Sequence, residues 1–149
     1  MATTVFSRDN WMPRAIEEDG ALLLEVVGGA DALHDPRVFT VPLREEHLPV
    51  LRDSLRRHVL LYAALAPLCD QAGIRGDWDE QAAASLLDPI LLGSPEEVDA
   101  TMRGHRIDRR RLVAHRASFP LMTRRRYFDA AQSVTESTDW ARVRKHLGP

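Results

Sequence analysis

Asp19-Gly20 stands between two runs of strand-forming residues, "MPRAIEE" and "ALLLEVV", and no other feature restricts the fold as much. Asp-Gly is a favoured pair for the two-residue type I′ hairpin turn, in which both central residues need positive φ. So tight a turn fixes the register. Glu18 faces Ala21, Ile16 faces Leu23, Arg14 faces Glu25 and Met12 faces Val27. One face then gathers Pro13, Ala15, Leu22, Leu24 and Val26, the more apolar set, which is expected to meet the core. Arg14 opposite Glu25 forms a cross-strand pair on the wetter face. Pro13 has no N–H for a ladder, which predicts an edge strand or an outward-facing position.

"RVFTVPL", residues 37–43, alternates with Phe39, Val41 and Leu43 on one side and predicts a third strand. "TTVFS" near the start predicts a fourth. "GGADALHDP" is a loop by composition, with Gly28-Gly29 as a plain turn. After residue 44 the period turns helical. Leu51, Leu55, His58, Tyr62 and Leu65 make one stripe of a long helix. It is expected to begin near residues 46–48, because Pro49 is tolerated only in the first turn, and to end at Ala72-Gly73, with Pro67 as a place to break. Asp77 and Glu80 have capping-box spacing for the next helix. Ser94-Pro95 with Glu97 caps another, and Asp108 caps the segment carrying Arg109 to Arg111. Thr123 precedes a helix with Phe128, Ala131 and Val134 inward, and Ser137 or Thr138 caps a last one with Trp140, Val143 and Leu147. The expected fold is α+β: an antiparallel meander of three or four strands within about residues 3–43, then five or six helices within about 46–147, in one domain over 1–149.

A chain of 149 residues is long enough for a self-sufficient core. Its one cysteine, Cys69, leaves no intramolecular disulfide, which suits a reducing cytoplasm. The start lacks a secretory signal pattern. The longest uncharged apolar run, residues 59–69, is well short of the roughly 20 residues that span a bilayer, so no membrane partner is expected. Of 20 basic residues only Lys145 is lysine. Such a bias follows from GC-rich codon usage and predicts a high-GC bacterial source.

Motifs for chemistry are missing. There is no Walker loop, dinucleotide fingerprint, nucleophile elbow or H-E-x-x-H, and a lone cysteine excludes thiolate zinc clusters. No cofactor and no metal are expected. His47 and His58 share the helical stripe, but eleven residues separate them by roughly 16 Å along an α-helix, too far for one metal or substrate atom. His47 is expected in an exposed first turn and His58 as a core imidazole with a hydrogen-bonded neighbour. His105 and His115 lie in the basic segment, where they are candidates to help bind an anion. An enzyme reading would need a pocket around His58 or His115 with a carboxylate in reach.

Charge placement carries the functional expectation. Residues 1–102 hold 8 basic and 18 acidic side chains, a balance of −10, and residues 103–149 hold 12 and 4, a balance of +8. The candidate binding surface is Arg109, Arg110, Arg111, Arg116, Arg124, Arg125 and Arg126. The alternative is the acidic set Glu17, Glu18, Asp19, Glu45 and Glu46, which would mask a basic partner in the manner of an immunity protein. A helix-turn-helix over residues 96–113 fails, because its inward positions would be Asp99, Arg103, His105, Arg110 and Val113. Three arginines in a row on a helix span about 200° of arc, so at least one of each triplet must face away from any one partner. The expectation is a protein-binding or accessory module with a protein partner. Nucleic-acid binding by the arginine-rich helices at 103–126 is the alternative, an enzyme the third reading, and a homodimer through an edge strand an added possibility.

"VFSRDN", "FTVPLREEHLPVLRDSLRRH" and "SLLDPILLGSPEEVD" resemble an uncharacterised family of small proteins from high-GC Gram-positive bacteria, a domain of unknown function. The likeness runs through most of the chain. It implies a bacterial, cytoplasmic, single-domain protein and transfers no catalytic or ligand-binding residue.

Overall fold

The computed structural model of the chain describes residues 1–8, 11–30 and 33–148. Asp31 and Ala32 of the expected loop, and Asp9 and Asn10 of "VFSRDN", lie outside the described residues. Strands β1 (Thr3–Phe6), β2 (Arg14–Glu18), β3 (Ala21–Gly28) and β4 (Arg37–Pro42) form an antiparallel meander in the order β1-β2-β3-β4. Eight α-helices follow among the described residues: α1 (His47–Asp53), α2 (Leu55–Ala72), α3 (Glu80–Leu92), α4 (Pro95–Arg103), α5 (Arg109–Ala114), α6 (Phe119–Thr123), α7 (Tyr127–Ala130) and α8 (Trp140–Leu147), with a 3-10 turn at Ala131–Ser133. The fold is α+β, with more and shorter helices than expected. No helix of the described residues is long and apolar enough to cross a membrane.

Asp19 and Gly20 have φ of 52° and 79°, the type I′ pattern, and the pairs Glu18–Ala21, Ile16–Leu23 and Arg14–Glu25 form as the turn dictates. Met12 lies ahead of β2, so its expected pairing with Val27 is not part of the ladder. Ala15, Leu24 and Val26 are buried in the core with Phe39, Val41 and Leu43. β2 is an inner strand, not an edge, because β1 pairs along its other side. Pro13 stands just before the strand, where a missing N–H costs nothing.

The exposed ladder edges are obstructed. Leu43 N–H bonds the Leu22 carbonyl, so by the alternation of an antiparallel ladder Val38, Thr40 and Pro42 turn their backbone groups away from β3. The Trp78 indole N–H occupies the Thr40 carbonyl at 2.9 Å, and Pro42 has no donor. On the other side β1 has four residues and a register shift between Thr4 and Phe6. Both devices discourage edge pairing.

The predicted long helix is broken at Ser54 and not at Pro67. Ser54 has φ −118° and ψ 92°, and its hydroxyl accepts the Arg57 N–H, so it ends α1 and caps α2. Pro67 lies inside α2. The carbonyl it would leave free, that of Ala63, accepts the Asp108 N–H at 2.7 Å, a bond from a distant segment that repairs the defect. Leu51, His58, Tyr62 and Leu65 of the predicted stripe are buried.

Caps agree in part. Ser94 accepts from Glu97 N–H and Asp108 from Arg111 N–H, as expected. Asp79, not Asp77, caps α3 by accepting the Ala82 N–H. Thr123 lies within α6, which Ser118 caps, and Asp139, not Ser137 or Thr138, caps α8. Aspartate, serine and threonine are near-equal caps, so composition alone leaves two or three candidates in each turn-rich stretch.

Candidate functional site

The quoted phrases meet in two polar knots. In the first, Arg8 from "VFSRDN" donates its Nε–H to His58 Nδ1 at 3.0 Å and two Nη2 bonds of 2.8 Å to the carbonyls of Leu51 and Arg52. It thereby satisfies the end of α1 where Ser54 interrupts the helix. With Nδ1 accepting, His58 is the tautomer protonated at Nε2, and that N–H donates to the Pro13 carbonyl at 2.7 Å. His58 is fully buried. Burial pushes its pKa down to about 4, with Arg8 and His115 adding to the effect and the Pro13 carbonyl opposing it. The second knot joins "FTVPLREEH" to "SLLDP". His47 Nδ1 accepts the Arg44 N–H, and its Nε2–H donates to Asp88 Oδ1 at 2.7 Å. The bond from His47 and the nearby Arg44 guanidinium hold the Asp88 carboxyl below the ordinary range. His47 is buried, contrary to the exposed position expected of it, because the imidazole itself binds the start of α1 and is covered by α3.

His115 is also buried. It ends α5, and its Nδ1–H donates to the Thr135 carbonyl at 2.8 Å. Its Nε2 has no hydrogen-bond partner among the described residues. Burial lowers its pKa. Neither His58 nor His115 lines any of five depressions on the described surface. Both nitrogens of His58 and of His47 are occupied, so each imidazole holds separate segments together. His115 is buried beneath the surface, and His105 is exposed and bonds the Thr101 carbonyl. Among the described residues no group of three or more His, Cys, Asp or Glu side chains is arranged to hold a metal ion.

The arginine stretch divides into stacked, paired and free members. On α5, Arg111 turns inward, over the Tyr62 ring at 4.3 Å and near Trp140 at 5.3 Å, while Arg109 and Arg110 are exposed with no partner among the described residues. That is the split which a helical triplet imposes. Arg124 to Arg126 are not helical as predicted but form the link between α6 and α7. Arg116 and Arg125 each follow a helix end with φ of 70° and 60°. Arg125 N–H bonds the Met122 carbonyl and Arg126 N–H the Leu121 carbonyl, and Arg116 and Ala117 repeat the pattern on Val113 and Leu112. These are Schellman ends with arginine where glycine is usual, a conformation that costs about 1–2 kcal/mol for a residue with a Cβ.

Arg103 and Arg125 hold each other's backbone. Arg103 Nε–H donates to the Arg125 carbonyl and Arg125 Nη2–H to the Arg103 carbonyl, both at 3.0 Å. Arg106, three residues on from Arg103, has its Cα within about 11 Å of it by chain length alone. Arg106 and Arg110 in turn line one depression of about 490 Å³ with Pro67, Asp70, Gln71 and Asp108. Arg103, Arg106, Arg109, Arg110, Arg124 and Arg125 are all exposed; the mutual bonds join Arg103 to Arg125, and the depression joins Arg106 to Arg110. Arg116 reaches Asp139 at 3.6 Å and Arg126 pairs with Asp129.

The acidic set is also gathered. Glu17, Glu18 and Asp19 are exposed at the β2–β3 turn, and Glu17 pairs with Leu22, whose carbonyl binds the start of the 43–46 segment. Glu45 is exposed there and Glu46 pairs with Arg44 at 2.8 Å. Among the described residues, the ion pairs of Arg111, Arg116 and Arg126 go to Asp108, Asp139 and Asp129 of the same C-terminal segment.

Sequence reasoning missed the structural arginines. Arg8 ties four segments, reaching Glu136 at 4.0 Å as well. Arg57 donates to the Ile90 and Gly93 carbonyls at the end of α3, and Arg37 caps the end of α2 on Gly73, Ile74 and Gly76. Each acts across more than thirty residues, and no local spacing announces such a contact. Gly28 and Gly29 are more than a turn. A Cβ on Gly28 would meet Cys69 Cβ at 2.7 Å, and one on Gly29 the Gly73 carbonyl at 2.9 Å, so the pair lets α2 pass close to the end of β3.

No curated protein and no solved structure matches the chain. The sequence model of a family of unknown function, DUF6357, matches residues 1–148, which takes in both histidine knots and the arginine-rich stretch. The chain belongs to the DUF6357 family.

Proposed function

We propose that this protein is a non-catalytic binding module that docks an acidic protein surface on the band Arg103, Arg106, Arg109, Arg110, Arg124 and Arg125. The observation that carries the reading is the pairing pattern. The C-terminal arginines that are neutralised find carboxylates in their own segment, and Arg106, Arg109, Arg110 and Arg124 are left exposed with no partner among the described residues. Arg125 supports it further, since a non-glycine residue held at φ 60° on the surface keeps a strained conformation that glycine would relieve. Asp70, Gln71 and Asp108 within the same depression suit a protein face of mixed polarity better than a uniformly anionic polynucleotide. The band also lacks interleaved aromatic rings on which bases would stack. Glu17, Glu18 and Asp19, exposed and without an ion pair among the described residues, favour a second reading, in which the acidic corner masks a basic partner, as in an immunity protein. A single cysteine, buried and with its thiol pKa pushed up to about 12 by burial first of all, accords with a bacterial cytoplasmic setting.

Capture from an extract of the source organism tests this, with wild type against the double variant Arg106→Glu, Arg110→Glu, at several salt concentrations. The expected result is a stoichiometric protein retained at low salt, released as salt rises and lost with the variant, whose far-UV circular dichroism is unchanged. No partner over the whole range, or a retarded DNA or RNA band in a parallel mobility assay in place of a protein, would overturn the reading.

A further inference from the structure

We infer that the outer face of the β-sheet is the contact surface of a weak homodimer. The ladder register puts Arg14, Ile16, Leu23, Glu25, Val27, Val38 and Thr40 on the face opposite the core. For a face turned to water this set is wrong. The central strand reads Leu23, Glu25, Val27 outward and Leu22, Leu24, Val26 inward, a nearly unbroken apolar run of the kind found in strands covered on both sides. Ile16 is already covered within the chain, whereas Val38 is 54% exposed. Trp11, at 71% exposure and with φ of 62°, stands at the rim. Together with Val27, Pro36 and Val38 it borders a depression of about 510 Å³.

Charge identifies the occupant as a second copy. Arg14 and Glu25 sit opposite each other on the two inner strands, at the middle of the face. Arg14 Nε and Nη2 both contact the same oxygen, Glu25 Oε1. Arg14 Nη1 and Glu25 Oε2 are uncommitted among the described residues. A two-fold axis through this point lays the Arg14 of one copy over the Glu25 of the other and the reverse, adding two pairs without any new residue type. An isologous contact needs such self-complementarity, and a foreign partner would need it only by coincidence. Edge pairing is a different geometry, and the Trp78 bond to Thr40 and the shift in β1 stand against it. A four-stranded face of roughly 20 by 17 Å is well below the usual ~800 Å² per partner, so the association is expected to be reversible in the micromolar range.

Sedimentation velocity of the full chain between about 1 and about 500 μM tests the inference, that range bracketing a micromolar constant. The expected mass rises from the 16.8 kDa monomer to twice that value. Arg14→Glu and Glu25→Arg should each weaken association at least tenfold through like charges across the axis. Mixing the two variants should restore it as a heterodimer, which shows that both chains are folded and needs no stability correction. Val38→Arg should abolish the dimer and Leu92→Lys, at an exposed apolar residue elsewhere, should leave it intact. A constant monomer mass overturns the inference, as does a dimer that survives Val38→Arg or one that the mixture fails to restore. A monomer whose sheet face captures a different protein, or a small apolar ligand, also overturns it. None of these substitutions touches the arginine band, so this result and the partner-capture result are independent.

Discussion

Arg8 and His58 hold much of the long-range order, and their chemistry makes the fold sensitive to acid. In the unfolded chain the imidazole titrates near pH 6.5, while in the folded protein burial lowers it to about 4. Between those values the unfolded state binds the extra proton. Stability is therefore complete above about pH 6.5 and is lost as pH falls through about 4, by about 3 kcal/mol for the single group. Protonation at Nδ1 would also set a new N–H against the Arg8 Nε–H. His115, likewise lowered, acts in the same direction. Urea midpoints of wild type and His58→Gln from about pH 4.5 to 7.5 check this. The variant should be less stable at neutral pH by about 1–3 kcal/mol, having lost buried hydrogen bonds, and its midpoint should fall less steeply in acid. Parallel slopes would refute the assignment. The sequence stripe already marked His58 as a core imidazole with a neighbour. The neighbour itself was illegible, because Arg8 lies fifty positions away and its loop has no pattern that points to α2.

At the scale of elements, local chemistry decided most caps and turns, and contacts from distant segments decided the exceptions. The type I′ turn, the Ser94-Pro95 start of α4 and the Asp108 cap of α5 were readable, since each depends on residues within four positions. The uninterrupted stripe from Leu51 to Leu65 suggested one helix with its weak point at Pro67. In the folded chain Ser54 makes the break, with Arg8 binding the frayed carbonyls, and Asp108 N–H mends the gap that Pro67 leaves. The start of α3 gives a direct comparison of near-equivalent caps. Asp79→Ala should cost about 1 kcal/mol of folding stability by removing the bond to Ala82 N–H. Asp77→Ala, at an exposed side chain with no partner among the described residues, should stay within about 0.5 kcal/mol of wild type. Equal losses in denaturant titrations would move the cap back to Asp77.

Across the whole molecule, the ion pairs of the C-terminal arginines Arg116 and Arg126 lie on exposed side chains, so charge effects on folding and on association should separate. The ion pairs Arg14–Glu25, Arg44–Glu46 and Arg116–Asp139 are largely exposed on at least one side, and such pairs are worth about 0–1 kcal/mol each. Raising sodium chloride from about 0.05 to about 0.5 M should therefore change the unfolding free energy by less than about 1 kcal/mol, while screening any partner on the arginine band. A large loss of stability in salt would mean that the arginines support the fold and are not free for a partner. By itself the sequence determined the α+β class, the hairpin register, the core face of the sheet and the lopsided charge, because periodicity, turn chemistry and composition act over neighbouring residues. Only the tertiary structure decided which arginines are consumed as caps and stacks, which stay exposed with no partner among the described residues, and that His47 and His58 are locked inside. Those outcomes depend on contacts between residues more than twenty positions apart, whose geometry exists only once the helices have packed on the sheet.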